Sequence, residues 1–317
     1  MSFASEVKKE IMRTDFEKDC CCRAELCAII CFCGSVSYEE GQPKLRVATE
    51  SAAAAKRCFA LLKRSFGITG GVETKKSRAG RGGYSYVLEF DKGDITKEIL
   101  SGLKLFDDEY REHVRFVLSD ALIGDECCKR AFVKGAFLGG GSLANPEKSY
   151  HLEFATHHHG LADDSADLLA GLGFTPKIII RKSNYVLYFK NSEEIADILS
   201  LLGAYRAMME FTNVKIVKDT RNNVNRQVNC ETANLNKTWQ AAREQVEAIE
   251  KIKKAGLFDG LPDGLRAIAE ARMEYPEENL EFVAAKITPP LSKSGAAHRL
   301  KKLLEIADKI SKKTGEK

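Results

Sequence analysis

A chain of 317 residues with 44% hydrophobic and 30% charged side chains and a net charge of +4 has the make-up of an ordinary globular protein with room for about two domains. No apolar run reaches the ~18 residues a membrane helix needs, and the charged start MSFASEVKKEIMRTDFEKD argues against a secretory leader, so the expected compartment is the cytoplasm. Ten cysteines in that compartment are expected to stay reduced rather than to form a disulfide framework.

Six of the ten stand close together: Cys20, Cys21, Cys22, Cys27, Cys31 and Cys33. Thiolates at helical spacing can share an ion. This spacing matches no zinc or iron–sulfur pattern and has no histidine nearby, so a packing role is expected and no metal is assigned. The apolar stretch from Arg23 ends in Gly34-Ser35 and is predicted to be a buried helix with a glycine stop. KLRVAT alternates like a strand, Ser51 to Phe66 has helical spacing, and GGYSYVLEF is again a strand, followed by a short helix. The hairpin Lys75 to Gly83, between two strands, is basic and glycine-rich, and could reach phosphates through Lys75, Lys76, Arg78 and Arg81.

The same order of elements then returns. At an offset of 107 residues, Arg23 to Ser35 aligns with RAFVKGAFLGGGS, Arg130 to Ser142, sharing the Arg-Ala start and the Gly-Ser end. LRVAT meets LEFAT at that offset, and YVLEF meets YVLYF after a shorter loop carrying Arg181 and Lys182. Residues 1–210 are therefore expected to be one duplicated α+β domain, with repeats at about 20–105 and 127–205, each an antiparallel sheet with helices on one side. Gly135, Ala136, Gly139 and Gly140 permit a close helix crossing, with Ala28 and Gly34 of the other copy as expected partners. No strand precedes this helix, which excludes a phosphate-binding P-loop. His157, His158 and His159 are neighbours whose side chains point apart, and are expected in a solvated turn.

Two small-residue helices ending in glycine, each followed by strand, strand and helix, resemble the LAGLIDADG homing-endonuclease fold. That resemblance implies a saddle-shaped sheet that lies along DNA, and an acid at each motif-helix end to hold divalent metal. Laid on this chain, the acidic positions fall on Cys33 and Gly140, and the preceding ones on Cys31 and Leu138. None is a hard oxygen ligand, so no catalytic residue is assigned and the nuclease reading is disfavoured. The balanced charge of this half, 30 basic and 30 acidic residues before residue 218, leaves both DNA contact and use as a protein-interaction platform open.

The charge excess lies in the last hundred residues, and 286–317 carries nine basic and three acidic side chains. Residues 211–220 are expected to link the domains, with strand-like polarity in TNVKIVKDT. In Arg221 to Thr238, six asparagines crowd into fifteen residues; Asn225, Arg226, Asn229, Asn234 and Lys237 are candidate base or phosphate contacts, though such amides also cap and turn the backbone. Residues 239–254 follow as a helix with Trp239, Ala242, Val246, Ile249 and Ile252 on one side. Helices at 265–274 and 280–287, a Pro289-Pro290 turn, and a last helix with the stripe Ala296, Leu300, Leu303, Leu304, Ala307 and Ile310 complete an all-α domain over 221–317. Short helix, turn, basic helix is the helix-turn-helix pattern. It puts Lys293, Arg299, Lys301 and Lys302 against phosphates and Ser294 and His298 near base edges.

The degenerate duplication with AFVKGAFLGGGS, the segment VNRQVNCETANLNKT and the segment PPLSKSGAAHRLKKL together resemble the WhiA family of sporulation and cell-division regulators, over nearly the whole chain. What this implies is a nucleoid-associated transcription regulator, not an enzyme, without cofactor, that binds promoter DNA. The implied role lies in cell division, chromosome organisation and, in spore formers, sporulation. Other regulators or RNA polymerase are the further partners to expect.

Overall fold

The computed structural model describes residues 2–69, 77–79, 83–106 and 114–314, which form two compact units, Met1–Lys218 and Asp219–Lys317. Arg81, Lys75 and Lys76 lie outside the described residues.

The first unit opens with α1 (Phe3–Met12), after which each repeat runs in the order expected from the sequence. The first has α2 (Asp19–Cys33), β1 (Gly34–Glu39), β2 (Gln42–Thr49), α3 (Ala52–Phe66), β3 (Ser77–Ala79), β4 (Gly83–Phe90) and α4 (Gly93–Gly102). After α5 (Asp120–Ile123), the second has α6 (Glu126–Gly140), β5 (Gly141–Leu143), β6 (Leu152–Thr156), α7 (His159–Gly171), β7 (Lys177–Arg181), β8 (Asn184–Phe189) and α8 (Ser192–Leu201). Both sheets are antiparallel and four-stranded, with the equivalent orders β1-β2-β4-β3 and β5-β6-β8-β7. In the second repeat, Leu152, Phe154 and Thr156 of β6 are buried and alternate with half-buried residues, the period of a sheet with one face on a core.

Local chemistry sets the element ends. Ser51 caps α3 by accepting the Ala54 N–H at 3.3 Å, and Gly67 ends it in the left-handed region at φ +69°. The core is built on α2 and α6. Leu26, Ile29, Ile30, Phe132, Phe137 and Leu138 are all essentially fully buried, and each stabilises the fold by about 1.5–3 kcal/mol. Within that core Arg57 of α3 makes a bidentate pair with Glu25 of α2 (2.8 and 3.0 Å) and also donates to the Thr14 carbonyl at 2.6 Å, so each of the three nitrogens of this buried cation makes a hydrogen bond.

Two expectations fail here. Gly34 does not serve the helix crossing; a Cβ there would collide with the Ile30 carbonyl of its own helix, not with α6. Residues 212–220 are not strand-like but lie inside α9 (Tyr205–Lys254), a single 50-residue helix. The alternation in TNVKIVKDT covers too few residues to override the helix on either side. Thr212 Oγ1 donates back to the Met208 carbonyl at 2.9 Å, and Lys215 and Lys218 reach Glu193 and the Pro146 carbonyl.

In the second unit, α10 (Asp263–Glu274), α11 (Leu280–Ala285) and α12 (Lys293–Thr314) pack with the end of α9. Ile249, Ile252, Ile268, Val283, Ala296, Leu300, Leu303 and Ala307 form the core. Trp239, expected on the apolar side of this helix, is 56% exposed, because the packed part of α9 begins only at Ala242. Arg272 is buried, and its Nη1 donates to the carbonyls of Tyr275 (3.3 Å) and Glu278 (2.7 Å), which fixes the α10–α11 turn; burial lowers its pKa.

Candidate nucleic-acid interface

The buried stripe of α12 decides which of its side chains reach solvent. Ala296, Leu300, Leu303 and Ala307 face the core, as the spacing predicts, with Leu304 and Ile310 half-buried beside them. That orientation leaves Lys293, Ser294, His298, Lys301 and Lys302 exposed on the outer face. Ser292 Oγ accepts the Gly295 N–H at 3.1 Å and so caps the first turn, where free backbone N–H groups and the positive end of the helix favour an anion.

Not every predicted contact on α12 is free. Arg299 is half-buried, and its Nη1 donates to the Gly264 carbonyl at 3.1 Å, tying α12 to the first turn of α10. Lys293 pairs with Glu281 of α11 at 3.2 Å, an exposed contact of little energetic weight. Ser294 shares a hydrogen bond with Ser292 at 3.1 Å.

All five candidates on α9 are exposed, within a stretch from 219 to 241 in which every residue is exposed. At about 100° per residue, Asn225, Arg226, Asn229 and Lys237 fall on one face, and Val217, Val224, Val228, Leu235 and Trp239 on the other. Asn234 lies off the asparagine face, and its amide donates to Cys230 Sγ at 3.8 Å. Of the first unit's candidates, Arg78 is placed on β3, opposite Tyr84 of β4.

The crossing of α2 and α6 is as tight as the small residues suggest. A Cβ on Gly135 would meet the Glu25 carbonyl and stand 2.8 Å from Ala28 Cβ; one on Gly139 would stand 2.9 Å from Phe32 Cβ. At the helix ends where a homing nuclease would carry acids, Gly140 has no room for any side chain: its Cβ would collide with the Ala155 carbonyl and Phe32 Cδ1, the latter at 2.6 Å. Cys33 donates to the Ile29 carbonyl at 3.1 Å, and burial pushes its thiol up to about 12, with Lys8 opposing. Lys8 is itself lowered to about 8, chiefly by burial, with Cys33 and Glu50 opposing. Cys31 and Leu138 are buried.

The opposite, N-terminal ends of these two helices bring together residues that lie 107 positions apart in the sequence. The sulfurs of Cys20, Cys21, Cys127 and Cys128 all lie within 4.8 Å of one another, and no other group of three or more potential metal ligands occurs among the described residues. Cys27 and Cys31 pack instead in the core, Sγ to Sγ at 3.8 Å. The histidine run does not converge: His158 stacks on Phe116 at 4.6 Å, His159 Nδ1 meets Asp163 at 2.8 Å, and His157 is exposed.

Three family models match in succession along the chain. Residues 19–106 match the WhiA N-terminal LAGLIDADG-like domain, 129–221 the WhiA LAGLIDADG-like domain, and 224–307 the WhiA C-terminal HTH domain. A probable cell division protein WhiA of Alkaliphilus metalliredigens is 39% identical over 313 residues, covering 98% of both chains. The chain belongs to the WhiA family. The relative from Alkaliphilus oremlandii is 41% identical over 314 residues, again covering 98% of both, and carries the same cell-division description. Among solved structures, full-length DUF199/WhiA from Thermatoga maritima matches with a TM-score of 0.59 at 23% identity, over 98% of this chain and 99% of that one. The N-terminal LAGLIDADG domain of DUF199/WhiA matches with 0.52 at 20% identity, over 67% and 96%. The fold is thus the WhiA combination of a duplicated LAGLIDADG-like domain and a helix-turn-helix domain, with α12 as the last helix of the latter. Among the described residues no helix is long and apolar enough to cross a membrane.

Proposed function

We propose that this WhiA-family chain is a non-enzymatic, sequence-specific regulator that binds double-stranded promoter DNA through its second unit and acts in cell division. Chromosome organisation and, in a spore former, sporulation belong to the same reading, as does a place at the nucleoid. The observation that carries it is the outer face of α12, where His298, Lys301 and Lys302 stand exposed beside a capped helix N-terminus while the opposite stripe is locked in a core. A helix held in this way can enter a major groove, with lysines on phosphates and Ser294 and His298 close to base edges. Asn225, Arg226, Asn229 and Lys237 form a second polar face of the same chemistry on α9.

Deleting residues 219–317 tests the assignment. Chromatin immunoprecipitation with the full chain should recover discrete promoter fragments, and the truncated chain should recover none. Enrichment that survives the deletion would move DNA recognition to the first unit and overturn the proposal.

A further inference from the structure

We propose that Cys20, Cys21, Cys127 and Cys128 form a tetrahedral four-thiolate site for a single divalent zinc ion, placed where the N-termini of α2 and α6 meet. The two doublets are 107 residues apart, the offset of the duplication, so each repeat supplies one equivalent pair across the pseudo-twofold axis.

Geometry fits a single tetrahedral ion. A tetrahedron of zinc–sulfur bonds of about 2.3 Å has edges of about 3.8 Å, and the four sulfurs already lie within 4.8 Å of one another, with Cys20 and Cys21 at 4.0 Å. A polynuclear iron–sulfur cluster attaches its thiolates to different irons and spreads them more widely. The floor of the site is made of Ala24 and Ala131, small enough to let the helices approach, with Leu122 packed against it. Cys21 and Cys128 are buried, Cys127 is half-buried, and Cys20 opens to solvent, giving the ion a way in.

Electrostatics supports thiolates at this place. Neither helix has a side-chain cap: Lys18 and Asp125 both stand at the N-cap without a capping hydrogen bond. All four cysteines stand in the first turns of α2 and α6, close to the positive ends of the two helices, although Asp19 and Glu126 share those turns. Binding converts four thiols and one Zn2+ into a tetrathiolate of net charge −2 and releases four protons to solvent. Without the ion, crowding and burial oppose ionisation: burial is the main cause that raises Cys21 and that pushes Cys128 up to about 12. Cys20 moves down, chiefly through its hydrogen bond with Cys128. A cation is what lets all four ionise together. The site would clamp the two repeats at the end of the helix pair opposite Cys33 and Gly140.

The full chain, purified in reductant without chelator, should carry about one zinc by elemental analysis, with no sulfide. Cobalt(II) added to the apoprotein should give visible bands and thiolate-to-metal charge transfer of tetrahedral sulfur coordination. Zinc should protect Cys20, Cys21, Cys127 and Cys128 from iodoacetamide, read peptide by peptide, and a chelator should abolish that protection. Cys127→Ser should lower zinc content about tenfold, while Cys230→Ser, at an exposed position on α9, should not. Should Cys127→Ser fail to fold, the cobalt spectrum and the alkylation pattern of the unaltered chain decide alone. Four freely alkylated thiols in the presence of zinc, a disulfide among them under reductant, or bound iron with sulfide would each overturn the proposal.

Discussion

Gly140 shows how a single residue constrains chemistry. Its Cβ would strike both the Ala155 carbonyl and the Phe32 ring, so the position where a nuclease needs a carboxylate is closed to one. Gly140→Asp is therefore expected to destabilise the first unit by about 1–3 kcal/mol through overpacking, and to confer no nicking of supercoiled plasmid in magnesium. Thermal unfolding and a plasmid assay check the two halves of that statement. Nearby, Lys8 holds its charge at a cost. Between its folded value near 8 and the ordinary 10.5 the folded chain binds fewer protons than the unfolded one, so this residue makes stability rise with pH across that window. Lys8→Met should raise the urea midpoint at pH 7 and flatten the rise between pH 8 and 10. The missing acids could be read from the sequence because they need only an alignment of two helix ends. The closed space around Gly140 could not, since Ala155 and Phe32 arrive from other elements.

Among elements, α12 separates residues that look alike in sequence. Lys301 and Lys302 are exposed, whereas Arg299 is spent on the Gly264 carbonyl. Replacing both lysines with alanine should weaken binding to every DNA sequence and reduce the slope of log affinity against log salt by about 2, in fluorescence anisotropy over a salt series. Arg299→Ala should instead lower the thermal midpoint of the second unit and leave the slope nearly unchanged. An equal effect on slope would return Arg299 to the DNA contacts. The apolar stripe of α12 was readable because helical period and core face coincide there. The course of α9 was not: a β-branched run and an asparagine-rich run both speak against helix, yet both lie inside one continuous helix, the first held to its neighbours by Lys215 and Lys218 and the second with no residue buried.

For the whole molecule, the duplication was the most readable feature, since an offset of 107 residues aligned helix and first strand, and the second strand matched again after a shorter loop. That same offset relates Cys20 to Cys127 and Cys21 to Cys128. The tetrad is not legible as ligand spacing within one segment, since its halves come together only when α2 crosses α6. The long exposed part of α9 has its own consequence. From 219 to 241 no residue is buried, so helicity there rests on intrinsic propensity, which six asparagines lower by several tenths of a kcal/mol each relative to alanine. Local opening costs least in such a stretch, and its amide protons should exchange with deuterium well before those of Ile249 and Ile252. Trypsin should then cut first at Arg221, Arg226 or Lys237, leaving two folded fragments; a first cut within 263–307 would show that the second unit, and not this bare helix, is where the chain most readily comes undone.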